Sequence, residues 1–357
     1  MKLKRCRFMF LLVCSFFLCA CGSREMTIDG EAVEVIPDDD GKGSSFVIRT
    51  DDGEEIGVLI DDDTVIVSYA DDRAFEEFRN GSLTAFTATA YCKRRKFSLE
   101  RGDSSEIDAY RATEIGITSY LTGDSEKLSD GTALDVWKDS DSTMYRLKDG
   151  MELLKVQNPS GPEGVYAGGT ESFDDLSEKA QAGIQTYYDG QGLLYDVQEE
   201  LEKAYACFRK SLEENEEFCI WTVSQDVAPT ASSEKIICFE TTVTIPDDDG
   251  SGSEYCQGAV FDRETGEYMD TWELFTCGKK EAIKEILDMA GITEEPLRSE
   301  MTASMDAKNM VLFDEGIEVY FPRGPLKSQE ELYILGLDYD DRLLGILQEW
   351  AVPRIIE

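Results

Sequence analysis

The sequence predicts a multi-domain chain in three parts: a small all-β barrel, a β-meander connector, and an α+β domain with an antiparallel sheet and helices. Three observations carry this. Strand-like runs fill positions 26 to 157 with one short helix among them. Helical stripes gather only after position 170 and then give way to strands again. A chain of 357 residues, at roughly 100 to 200 residues per domain, has room for two or three folded units. Its hydrophobic content of 41% is too high for a disordered acidic tail.

Ahead of the folded parts stands a leader. Lys2, Lys4, Arg5 and Arg7 make a short basic segment, and Phe8 to Ala20 is an apolar run without a charge. That run is far shorter than the roughly 20 residues a bilayer-spanning helix needs, so a secretory signal peptide over residues 1–20 is expected. Leu18-Cys19-Ala20-Cys21 resembles the bacterial lipobox, although Cys stands at the second position where Ala, Ser or Thr is usual. The expectation is a lipid on Cys21, a short anchor segment 21–25, and a protein held on the extracytoplasmic face of the cell membrane. Two acyl chains anchor stably where one does not.

Residues 26–116 read as the barrel. Strands are expected at Thr27 to Ile36, Ser45 to Thr50, Glu55 to Ile60, Thr64 to Tyr69, Leu83 to Cys92 and Glu106 to Ile115. One helix, Asp71 to Asn80, precedes the last two; it puts Ala74, Phe75 and Phe78 on one side, opens with acids and stops at Asn80-Gly81. This is the element order of an OB-fold. The loop between its last two strands often lines the ligand groove, and here it would contain Lys93, Arg94, Arg95 and Lys96, the basic cluster of the exported chain.

Residues 117–170 read as a β-meander connector, with strands at Leu134 to Lys138, Met144 to Leu147 and Leu153 to Gln157. Asp130-Gly131 and Asp149-Gly150 are hairpin signals between them. Asn158 to Gly164 is rich in Pro and Gly and places a boundary near 160 to 170. Residues 171–357 read as the α+β domain. Ser172 to Asp175 is a capping-box candidate, followed by a stripe of Leu176, Ala180 and Ile184, then one of Leu194, Val197, Leu201, Ala204, Tyr205, Phe208 and Leu212. Strands follow at Phe218 to Val223, Lys235 to Ile245 and Tyr255 to Asp262, then a helix at Lys279 to Met289. A hairpin crosses Asp314-Glu315-Gly316, a strand runs from Leu332 to Leu337, and a helix from Asp340 to Trp350 closes the chain.

Composition excludes function classes. With no histidine, a Ser-His-Asp or Cys-His pair, a His-ligated metal and an imidazole pH switch are impossible within the chain. The 74 acidic against 35 basic residues, a net charge of -39, disfavour nucleic acid as a partner. Loss of the signal would remove four basic residues and no acidic ones, taking the charge to -43. Such a field speeds the approach of cationic proteins.

Six cysteines remain in the folded part, Cys92, Cys207, Cys219, Cys238, Cys256 and Cys277, which permits three disulfides in any of fifteen connectivities or leaves free buried thiols. Asp247, Asp249, Ser251 and Gly252 match the first half of an EF-hand loop, but Gly258 stands where its bidentate Glu belongs. The turn from Asp38 fails likewise, with Lys42 at position five and Arg49 at twelve, so no metal is expected. No acid stands in a recognisable catalytic motif and no phosphate loop is present, so neither catalytic residues nor a cofactor are expected. Tyr187 and Tyr188, in a stretch expected to link two helices, are candidates to project into solvent and bind a ligand.

Val260-Phe-Asp-Arg-Glu-Thr-Gly266, running on to Trp272-Glu-Leu-Phe275, resembles a stretch of the extracellular domain of RsiV-type anti-sigma factors, a domain also found beside peptidoglycan deacetylases. Met310 to Pro322, followed by Leu335 to Leu343, is similar to the penultimate hairpin, last strand and closing helix of that family. The resemblance covers roughly residues 172–348, and it implies binding of a basic secreted protein such as lysozyme. Only seven residues precede the apolar run, so no cytoplasmic sigma-binding segment is expected; the family's Gly-Gly-Ala-His-like element is reduced to Gln257-Gly258-Ala259. The expectation is therefore a non-enzymatic surface binding protein. The alternatives are a cell-wall glycan enzyme using carboxylates, or a wall-polymer binder working through the barrel groove.

Overall fold

The computed structural model describes residues 25–37, 44–157, 165–170, 173, 176–246, 252–329 and 332–353. The expected leader, Cys21, residues 38–43, 158–164 and 247–251, and Ser172 lie outside the described residues. The protein is mostly β, with one large mixed sheet, a separate three-stranded sheet and six α-helices among those residues.

The first part comprises β1 (Glu25–Pro37), β2 (Ser44–Arg49), β3 (Glu55–Leu59), β4 (Val65–Ser68), α1 (Asp72–Arg79), β5 (Phe86–Glu100) and β6 (Glu106–Lys127). β1 pairs antiparallel with β2 and β5, β2 with β3, and β5 with β6, while β3 runs parallel to β6. The ladders thus return on themselves in the ring β1-β2-β3-β6-β5, whose paired edges offer no template for stray strands. Its core is built from alternate strand residues, Ile28, Phe46, Ile48, Val58, Phe86, Ile115 and Ile117, with Ala74 and Phe78 of α1. Phe46, Phe78 and Phe86 meet edge to face at 5.1 to 6.0 Å. Asp71 caps α1 by accepting from the Ala74 N–H at 2.8 Å, and its second oxygen takes the Tyr120 hydroxyl at 2.7 Å.

β6 then carries the sheet onward. Its far edge pairs in succession with β3, with β4 and with β7 (Ala133–Lys138). β8 (Ser142–Leu147), β9 (Glu152–Gln157), β10 (Trp221–Ser232), β11 (Ile236–Pro246), β12 (Gly252–Asp262) and β13 (Tyr268–Met269) follow as neighbours. Position 117, where the connector is expected to begin, therefore lies inside β6, and the ladder is continuous from the barrel to β13. The β9–β10 pairing is parallel, because the chain between them crosses over through α2 (Glu178–Gln191) and α3 (Val197–Glu214). α2 starts later than expected: Ser177, not Ser172, accepts from the Ala180 N–H. β10 is longer than expected and runs on to Ser232. Leu212, placed on the α3 stripe, is exposed, since the core under that helix ends at Phe208.

The period of two along β11 and β12 sorts the layers. Ile237, Phe239, Ala259 and Phe261 face α2, whereas Ile236, Cys238 and Val260 face the opposite layer. That layer consists of α4 (Lys279–Met289), α5 (Leu297–Ser304), β14 (Met310–Leu312), β15 (Gly316–Phe321), β16 (Tyr333–Asp338) and α6 (Asp341–Ile346). β14, β15 and β16 form the small antiparallel sheet, in that order.

Candidate functional site

The residues that carry the family resemblance are joints of the fold. Asp262 accepts hydrogen bonds from the Glu264 N–H, the Thr265 N–H and the Thr265 hydroxyl at 2.8 to 3.0 Å, closing the turn after β12. Gly266 ends it with φ +71°, and a Cβ there would lie 2.1 Å from the Ala180 carbonyl oxygen, so the turn seats α2 on the sheet. Gly258 does the same on the other face: a Cβ would meet the Met310 carbonyl oxygen at 1.7 Å, so glycine is what lets β14 lie against β12.

An open groove of about 460 Å³ lies over the small sheet. The β14–β15 turn supplies Asp314 and Glu315, β15 supplies Glu318, and β16 supplies Asp338. Antiparallel register brings them together, with Gly316 opposite Asp338 and Glu318 opposite Gly336. The turn is fixed by the Phe313 N–H donating to the Gly316 carbonyl at 2.8 Å, and the Thr230 hydroxyl ties the end of β14 to β10 by donating to the Leu312 carbonyl at 2.6 Å. Tyr320 donates its hydroxyl to Glu318 at 2.6 Å; burial and this bond both push the phenol well above its usual range, so it stays a donor. Among the described residues no basic side chain lines the groove. Its carboxylates are acceptors of the kind that suit a cationic group. Sequence reasoning took 314–316 as a hairpin turn only; the signal was the acid spacing, which acquires meaning once the register is known.

The basic cluster is displaced from its expected place. Lys93, Arg94, Arg95 and Lys96 do not form a loop; they lie inside β5, which runs without interruption to Glu100, and the turn to β6 falls at 101–105. The reason is an irregularity in the ladder. Cys92 faces Ala112 and Lys96 faces Tyr110, so three residues on β5 bulge against Arg111 alone. All four cationic side chains are exposed. Lys96 pairs with Asp108, Arg94 Nε donates to the Glu25 carbonyl at 3.2 Å, and Arg95 lies over the Phe97 ring at 5.2 Å. Arg111 covers the same ring at 5.3 Å and pairs with Asp61 at 2.8 Å.

The tyrosine pair is corrected outright. Tyr187 and Tyr188 belong to α2, which continues to Gln191, so helical spacing turns Tyr188 inward behind Ile184. Tyr188 is fully buried beside Phe239 and Phe261, and Tyr187 stacks on Tyr268 with ring centroids 4.9 Å apart. Tyr188 is core, and Tyr187, half-buried, packs against it.

No disulfide joins any of the six cysteines. Burial pushes the thiols of Cys92 and Cys238 up to about 11 and about 12, which makes them inert. Among the described residues no three acids or thiols converge as a metal site would require, and no helix is long and apolar enough to cross a membrane. One deeply buried carboxylate, Glu200 of α3, accepts from the Trp221 indole N–H at 2.9 Å and from Lys203 at 2.8 Å. It ties α3 to β10.

No family model matches the chain, and no curated protein does. Among solved structures it is similar to a DUF3298 family protein from Pseudomonas aeruginosa PAO1, with 14% identity, 42% of this chain and 71% of that chain covered, and a TM-score of 0.28. It is also similar to a member of the same family from Bacteroides fragilis NCTC 9343, with 11% identity, 65% and 93% covered, and a TM-score of 0.34.

Proposed function

We propose that this chain is a lipid-anchored, extracytoplasmic bacterial binding protein that captures a cationic secreted protein such as lysozyme and performs no chemistry of its own. The observation that carries the reading is the groove on the small sheet, which Asp314, Glu315, Glu318 and Asp338 line with no basic side chain beside them among the described residues. The net charge of -39 steers basic proteins toward it, and the groove adds a local surface at which acceptors are preorganised. The resemblance to RsiV-type domains falls on the elements that build this layer, β12 and β14 to α6. The barrel is read as OB-like, supported by the closed strand ring and the helix set before its last two long strands. The anchor reading rests on the basic flank, the apolar run and the box ending at Cys21.

The test is calorimetric titration of the chain from Gly22 onward with lysozyme, alongside a non-lysozyme protein of similar basic charge, at low and raised salt. Saturable binding of lysozyme alone, surviving salt and weakened about tenfold or more by Asp314→Asn with Glu318→Gln and Asp338→Asn, is expected. Equal, salt-sensitive binding of both proteins sinks the proposal. The anchor has its own test: labelled palmitate should enter the wild type and not Cys21→Ala.

A further inference from the structure

The cationic stretch of β5 lies beside the place where the chain enters the fold. Glu25, the first described residue, sits directly opposite Lys93 in the β1–β5 ladder, and Thr27 opposite Tyr91. Such partners have Cα atoms about 5 Å apart. Arg94 crosses the strand to donate to the Glu25 carbonyl at 3.2 Å. Alternation turns Cys92 into the core and leaves Tyr91 and Lys93 outward, with Tyr91 40% exposed. Lys93, Arg94, Arg95 and Lys96 then present four consecutive cations on a protein whose net charge is -39. Between Cys92 and Lys96 the ladder with β6 is interrupted, and all four cationic side chains are exposed.

We propose that Tyr91 to Lys96 is the face on which the protein rests against an anionic phospholipid surface. This rests on the anchor reading only for its geometry. Cys21 precedes Glu25 by four residues, which at full extension reach about 14 Å, so a lipid there holds Lys93 within about two Debye lengths of the headgroups. Cations that close to anionic lipid bind it additively, and a tyrosine beside them suits the membrane interface. The acidic remainder of the molecule is repelled by the same surface. Together these forces turn the Tyr91 to Lys96 face of the barrel toward the membrane.

The chain from Gly22 onward serves for the test, because every buried cluster begins at Ile28 or later and its removal takes no core residue. It is floated with vesicles of phosphatidylcholine, with and without about one third phosphatidylglycerol. Partition onto the anionic vesicles is expected to exceed that onto neutral ones about tenfold, to fall with salt, and to vanish in a Lys93→Ala, Arg94→Ala, Arg95→Ala, Lys96→Ala variant. A Lys279→Ala, Lys280→Ala variant, which loses charge on α4, keeps the binding. Equal partition onto both vesicles, retention by the quadruple variant, or loss in the α4 variant overturns the proposal. Displacement by millimolar inorganic phosphate also overturns it, since that marks a site for a free anion. The protein in this assay carries no lipid, so failure of palmitate labelling leaves its outcome unaffected.

Discussion

Gly258→Ala tests whether the two layers behind the groove are held as tightly as the structure requires. The added methyl carbon would sit 1.7 Å from the Met310 carbonyl oxygen. A normal carbon-to-oxygen contact is about 3.3 Å, so β14 would have to withdraw from β12 by roughly 1.5 Å. It has nowhere to go. Met310, Val311 and Leu312 are almost wholly buried, and Thr230 holds the Leu312 carbonyl. Overpacking of this kind costs about 1 to 3 kcal/mol when the core can relax, so a value near the upper end, about 3 kcal/mol, is expected. At about 2 to 4 °C for each kcal/mol in a domain of comparable size, the melting temperature should fall by about 6 to 12 °C. The reference is Gly345→Ala in α6, whose Cβ would meet nothing within 4 Å. There the helix should gain about 0.5 to 1 kcal/mol. Both are read by near-ultraviolet circular dichroism on heating. A Gly258→Ala protein that melts with the wild type, or a Gly345→Ala protein that loses as much, would refute the close-approach argument.

Three further outcomes follow from particular contacts. Glu200→Ala leaves the buried Trp221 indole N–H without its acceptor and should cost about 1 to 3 kcal/mol in urea unfolding, while Glu200→Gln, which keeps an acceptor oxygen, should cost less; an unchanged urea midpoint for both counts against that contact. Glu55 is held below the usual glutamate range by hydrogen bonds from Arg49 first and Arg101 second. Its folded value is depressed, so its contribution is complete above the unfolded value and fades as pH falls from there through the lowered one; Glu55→Gln should therefore flatten the acid limb of a stability-against-pH curve and leave the neutral region nearly level. Iodoacetamide near pH 8 should modify exposed Cys219 first and spare buried Cys92 and Cys238 until urea unfolds the chain, as read by peptide mass spectrometry.

The sequence alone determined what is decided within one turn of chain. Asp71 caps its helix because a side-chain oxygen can reach an amide three residues on, and Ser177, which the sequence reading passed over in favour of Ser172, caps the next helix in the same way. Lys279 to Met289 is a helix between the bounds its periodicity implies, and the hairpins after Leu128 and Leu147 turn at their Asp-Gly pairs. The strands of the barrel, the meander and the small sheet were legible from alternation. The lipid on Cys21 and the capture of lysozyme are proposals that the palmitate labelling and the titration decide.

Tertiary structure decided what depends on partners distant in sequence. The continuous passage of β6 from the barrel into the meander and the irregularity that leaves Arg94 and Arg95 without partners on β6 each depend on a neighbour no local pattern names. The meeting of Glu318 with Asp338 is the plainest case: twenty residues apart in the chain, they share a groove because β15 and β16 pair in one register. A slip of one residue would send either acid to the opposite face. Helix ends are fixed by bonds of fixed short span, whereas strand partners are fixed only when distant segments bury the same core.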